Sequence, residues 1–188
     1  MFKFKFTLRE MTLVGVLAAL VFAASMLQIM IPTPIDGTRI HLGNVMCLLS
    51  GFILGPIGGG LAAGIGSMFY DFTNPLFIES APYTFVFKFL MAFVCGVISW
   101  AGNAGAKNTK RNIVAAICGA VTYIILYLGK SFVFNVFFDR LELQTVLVSL
   151  STKAITSGIN GIIAAAVSVP LVRIVRMALV RSGVQTQR

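Results

Sequence analysis

The 188 residues are 57% hydrophobic and 11% charged, with a mean hydropathy of +0.92, which is more apolar surface than a water-soluble core of this size can enclose. That excludes a soluble catalytic domain and points to a chain lying almost wholly in a bilayer. The formal charge of +9 does not indicate nucleic acid, because the basic residues flank the apolar runs and line no amphipathic soluble face.

A spanning helix needs about 20 mostly apolar residues, and six apolar segments are predicted. The first runs from Leu8 to Ile31. Its lead-in MFKFKF and the small residues Ala23 and Ala24 also fit a cleavable signal, but the apolar run from Thr12 is long enough to span and more apolar segments follow, so a retained helix is expected. The second and third, Leu42 to Leu54 and Gly58 to Phe72, are short for a crossing, and Pro56 with Gly58 to Gly60 argues against one continuous helix. Tyr83 to Trp100, Asn112 to Phe138 and Leu143 to Val169 complete the set, followed by a basic tail over 170–188. The expected fold is an all-α integral membrane protein, a single six-transmembrane-helix bundle. Cys47, Cys95 and Cys118 lie inside apolar runs without CxxC spacing and read as small packing residues.

Lysine and arginine accumulate on the cytoplasmic side of short loops. Lys3, Lys5 and Arg9 precede the first helix, Lys107, Lys110 and Arg111 follow the fourth, and Arg173, Arg176, Arg181 and Arg188 follow the sixth. With six crossings all three clusters share one side, so both termini are expected in the cytoplasm. The other side keeps Arg39 and Arg140 with Asp36, Glu79, Asp139 and Glu142. The outer loops IPTPIDGTRIH and TNPLFIESAP are rich in turn residues and read as ordered lids.

Gly15, Ala19 and Ala23 put a small residue at every fourth position of the first helix, a face that admits close approach by another helix, either within the chain or from a membrane partner. Intramembrane cations are more informative, since a central lysine costs about 2.5 to 3.5 kcal/mol. At 1.5 Å per residue, Lys153 lies about 15 Å, Lys130 about 12 Å and Lys88 about 7 Å from the outer ends of their helices; Lys88 is close enough to snorkel. Ser149, Lys153, Thr156, Ser157 and Asn160 share one face, as do Tyr123, Tyr127 and Lys130 on the fifth helix. Such groups make either an outer cavity for a polar aromatic or anionic solute, or a buried pair between Asp71 and a lysine. One acid cannot neutralise three lysines. His41 in RIHLGN reads as a cap or loop contact, and with no second histidine neither a metal nor any other cofactor is expected. No phosphate loop, nucleophile elbow or close carboxylate pair is present to carry catalysis or ATP binding.

The stretches HLGNVMCLLSGFILGPIGGGLAAGIGSMFYDFTNP and APYTFVFKFLMAFVCG, together with Ala19-x-x-x-Ala23 and the basic-inside layout, resemble the substrate-capturing S components of energy-coupling factor (ECF) vitamin transporters over nearly the whole chain, with most likeness to the riboflavin and hydroxymethylpyrimidine group. The resemblance implies a non-enzymatic subunit in the cytoplasmic membrane of a bacterial cell. It would bind a water-soluble vitamin or precursor, with pantothenate and pyridoxine as other substrates, and assemble with a membrane scaffold subunit and two cytoplasmic ATPase subunits. The Gly15, Ala19 and Ala23 face would dock on the scaffold. The family's pocket would draw on Lys88, Tyr127, Lys130, Lys153 and Asn160, with Asn44, Asp71 and Tyr83 as further candidates. Two other readings compete: a self-sufficient small-solute facilitator or channel, and a small intramembrane enzyme using Lys153 or Asp71.

Overall fold

The computed structural model describes residues 7–34, 37–103 and 105–181. Lys3, Lys5, Asp36, Arg188 and the last part of the basic tail therefore lie outside the described residues. Helix α1 covers Leu8–Met26 and opens on a capping box, in which Glu10 N–H donates to Thr7 Oγ1 at 3.3 Å and Thr7 N–H returns a bond to Glu10 Oε2. It ends five residues before Ile31, the end expected from composition. Gln28–Pro32 instead forms strand β1, paired antiparallel with β2, Gly37–His41, in the register Gln28↔His41 to Pro32↔Gly37. Pro32 and Pro34 cannot continue a helix, and the β-branched Ile29 and Ile31 suit a ribbon. This two-stranded hairpin is the one departure from an all-α fold among the described residues.

Helix α2, Gly43–Thr73, is folded back on itself at Gly55, whose φ of 74° and ψ of −166° lie outside helical space. That backbone region is essentially restricted to glycine. Cys47 Sγ and Ser67 Oγ, twenty residues apart, approach to 3.6 Å, and Ser50 Oγ lies 2.9 Å from Gly59 O, so the two halves run side by side in opposite directions. Their backbones touch: a Cβ on Gly59 would fall 2.5 Å from Gly51 Cα. The turn sits at Gly55, while Gly58 to Gly60 are helical and serve close packing instead.

Helix α3, Ala81–Trp100, follows a short turn at Ile78–Ser80, with Pro82 in its first turn. At its far end Trp100 Nε1 donates to Phe52 O at 3.0 Å, satisfying a carbonyl near the break in α2. Helix α4, Thr109–Val133, is capped by Asn108, which accepts from Arg111 N–H at 3.3 Å, and runs into a π-helical turn at Phe134–Phe138. Helix α5, Leu143–Arg181, continues past Val169 and through Pro170, so the stretch read as a tail is helical up to Arg181.

Five helices are long and apolar enough to cross a membrane, and the chain is an all-α multi-pass membrane protein in its spanning part. Their burial is uneven. The most apolar window of α2 is 78% buried, against 22 to 33% for the others, so α2 is the hub and α1, α3, α4 and α5 surround it with faces turned to lipid. Leu48, Phe52, Ala62 and Ala63 of α2 join Val21, Met91, Cys95, Ala116 and Ala164 in one core. On α1, Leu17, Val21 and Ala24 face that core, while Gly15, Ala19 and Ala23 are exposed.

Candidate substrate site

The hairpin is held inside the bundle. Asn160, 4% exposed in the middle of α5, accepts from His41 N–H at 3.0 Å and donates through Nδ2 to Arg39 O at 2.7 Å, so its amide clamps the backbone of β2. Arg39 then extends to Asp71, 2.6 Å away and 1% exposed, with its guanidinium 4.6 Å from the Tyr70 ring and 4.2 Å from that of Phe77. The pair is paid for in desolvation but has excellent geometry and aromatic faces around it. The sequence offered Asp71 as a lysine partner or a ligand contact; its partner is Arg39. His41 Nδ1 accepts from Gly43 N–H at 3.1 Å and so closes the start of α2, a capping role. Burial, then the nearby Lys88 and Arg39 charges, hold this imidazole well below its usual range, in keeping with a neutral acceptor.

Lys88 does not snorkel. It is 1% exposed, donates to Asn44 Oδ1, and places its ammonium 3.6 Å from the centre of the Tyr123 ring. One helical turn further along α4, the Tyr127 ring lies parallel to that of Tyr123, 5.7 Å away at 6°. Lys153 follows, 2% exposed, with Nζ 5.8 Å from the Tyr127 ring and bonded to Ser131 Oγ at 3.2 Å. These four side chains form a column running ammonium, ring, ring, ammonium across α3, α4 and α5. Toward the C-terminal end of α4, Lys130 Nζ donates to Ser80 Oγ at 3.1 Å and lies 5.2 Å from Tyr83 and 4.9 Å from Phe134. Tyr83 is 40% exposed and meets Phe134 edge-on at 5.4 Å.

The eight sequence candidates lie on α2, α3, α4 and α5, in three sets: Asn160 and, through Arg39, Asp71 hold the hairpin; Asn44 and Lys88 bond each other, with Tyr127 and Lys153 following along α4 and α5; and Tyr83 and Lys130 sit together beside Ser80 and Phe134. Arg39, Ser80 and Ser131 were missed. Arg39 read as a loop cation, although its opposite charge to Asp71 in a nearly uncharged stretch was a usable signal. Ser131, directly after Lys130, was hidden by its neighbour, and Ser80 stood in an apparent loop. Chemically, ammonium and amide donors among flat aromatic rings can hold a planar solute carrying carbonyl or acidic oxygens; among the described residues no nucleophile with an adjacent base is formed.

The chain is 26% identical over 103 residues to an uncharacterised protein of Pyrococcus woesei, a match covering 55% of this chain and 66% of that protein. The family described as ECF-type riboflavin transporter, S component, matches residues 5–177. With nearly the whole chain matched, from before α1 to the last turns of α5, the chain belongs to the ECF-type riboflavin transporter S component family.

Proposed function

We propose that this chain captures a water-soluble vitamin or vitamin precursor from the outer side of the cell membrane, between the hairpin and the outer halves of α3, α4 and α5. Family membership makes it a substrate-binding subunit for vitamin uptake. The observation that carries the finer reading is the column of Lys88, Tyr123, Tyr127 and Lys153. Its parallel rings and flanking cations favour a planar aromatic substrate, riboflavin or a hydroxymethylpyrimidine-like compound, over the aliphatic pantothenate; pyridoxine shares the aromatic character. Lys130 and Tyr83 stand at the outer mouth, while Asn160 and Asp71 act through the hairpin they hold.

The same reading takes the two halves of α2 as separate crossings, giving six. Both termini then face the cytoplasm of a bacterial cell, following the basic residues at the start of α1, before α4 and at the end of α5. The exposed Gly15, Ala19 and Ala23 face receives a membrane scaffold subunit, and two ATPase subunits supply the hydrolysis for which this chain has no motif.

Mass spectrometry of small molecules carried through purification tests the substrate class, with a flavin or pyrimidine expected; an aliphatic acid alone would exclude the aromatic reading. Ala19→Leu with Ala23→Leu should abolish uptake while binding stays within about twofold, since bulk on an exposed face blocks close helix approach without touching the site. Lost binding in that variant would refute the docking face.

A further inference from the structure

A groove of about 540 Å³ runs between α4 and α5. Ile117 and Val121 form its wall on α4, and Ala165 and Val169 on α5, so a hydrocarbon chain would meet almost entirely apolar atoms along it. One end is different. On α5 the lining recurs at three- and four-residue steps from Gly158 to Pro170, and the same face continues to Arg173 and Arg176. On α4 the lining starts at Ile113, and the turn before it holds Thr109 and Lys110. Arg173 donates to Thr109 Oγ1, bridging the two helices just beyond the last lining residues, Ile113 and Pro170, and giving that end a polar floor.

That floor is cationic, and neither of the two helices that form it carries an acid. Among the described residues the ion pair is Arg39 with Asp71, at the hairpin, and no carboxylate lies on α4 or α5 near the floor. Arg176 Nη1 is enclosed without a hydrogen-bond partner among the described residues. The first turn of α4, capped by Asn108, adds the positive end of its dipole. An apolar channel ending on arginines, a lysine and a helix start matches a molecule with a hydrocarbon tail and an anionic head.

We propose that this groove holds one anionic phospholipid, its acyl chain along α4 and α5 and its phosphate against Arg173, Arg176 and Lys110. A zwitterionic lipid would bring its own cation beside those arginines and is disfavoured. A transmembrane helix of another subunit would fill the apolar part but leave the floor without an acid.

Native mass spectrometry of the full chain, released from micelles containing equal phosphatidylglycerol and phosphatidylcholine, reads this directly. Wild type should retain phosphatidylglycerol about tenfold over phosphatidylcholine, and Arg173→Gln with Arg176→Gln should reduce that to within about twofold. Arg9→Gln, on α1, should leave the preference intact, and Ala165→Phe should lower retention of both lipids by filling the groove. Because Arg173 also ties α5 to α4, Lys110→Gln provides a second arm, with a partial loss expected. Unchanged preference in both the double variant and Lys110→Gln overturns the proposal. So does cross-linking of Ile117→Cys to another subunit with no lipid retained.

Discussion

Asn160→Ala should free the hairpin from α5. The side chain is 4% exposed, and its amide makes two bonds to β2, at 3.0 Å from His41 N–H and 2.7 Å to Arg39 O. Alanine removes both and leaves one buried N–H and one buried carbonyl without partners. Each such loss costs about 1 to 2 kcal/mol when some water can follow, so the hairpin is weakened by about 2 to 4 kcal/mol. At about 1.4 kcal/mol per factor of ten, local opening becomes roughly 30- to 700-fold more frequent. Hydrogen exchange of a peptide covering Gly37–His41, followed by mass spectrometry in micelles, measures that opening. Asn160→Asp, which still accepts from His41 N–H, should fall between alanine and wild type. Ile162→Ala, whose parent side chain is 71% exposed, should exchange like wild type. If Asn160→Ala keeps β2 protection within about threefold of wild type, the amide is not the clamp and the estimate from unsatisfied groups fails.

Gly55→Ala forces a Cβ into a backbone region of φ 74° and ψ −166°, at a cost of about 1 to 3 kcal/mol; a lowered thermal midpoint is expected, and an unchanged one would mean the turn relaxes freely. Burial and the neighbouring Lys88 and Arg39 charges keep His41 well below its ordinary value, so the folded chain binds fewer protons than the unfolded chain once pH drops under about 6.5. Thermal stability should therefore be flat above that pH and decline as pH falls below it, and His41→Gln should remove the decline. Lys153→Ala should weaken binding of the identified vitamin by about tenfold to a hundredfold, the range for a lost charge-assisted hydrogen bond; titration calorimetry showing equal affinity would take Lys153 out of the site.

The spanning helices were legible because apolar runs of bilayer length need no partner to be recognised. The hairpin was not, since Gln28–Pro32 is as apolar as the end of α1 and becomes a strand only through pairing with Gly37–His41, a contact that no local period announces. The break in α2 was anticipated from Pro56 and the glycines after it, yet the residue that turns is Gly55, because positive φ and not low helix propensity marks the fold-back. Site residues followed the same division. Depth alone singled out Lys130 and Lys153, and helical spacing grouped Tyr123 with Tyr127. The roles of Asn160 and Asp71 depend on Arg39 reaching in from the hairpin, and so required the tertiary arrangement.

The fold-back in α2 also bears on how the chain is built into a membrane. Its first half, Gly43 to Leu54, rises only about 18 Å at 1.5 Å per residue, well short of a hydrocarbon core about 30 Å thick. Emerging from a ribosome alone, that half is a poor substrate for lateral release into lipid. With Pro56–Thr73 synthesised, Gly59 can seat against Gly51 and Ser50 can bond across the turn, a pairing that would let the two halves leave the translocation machinery as one hairpin. The hub of the bundle would then be a unit of biogenesis, its glycines serving insertion as well as packing.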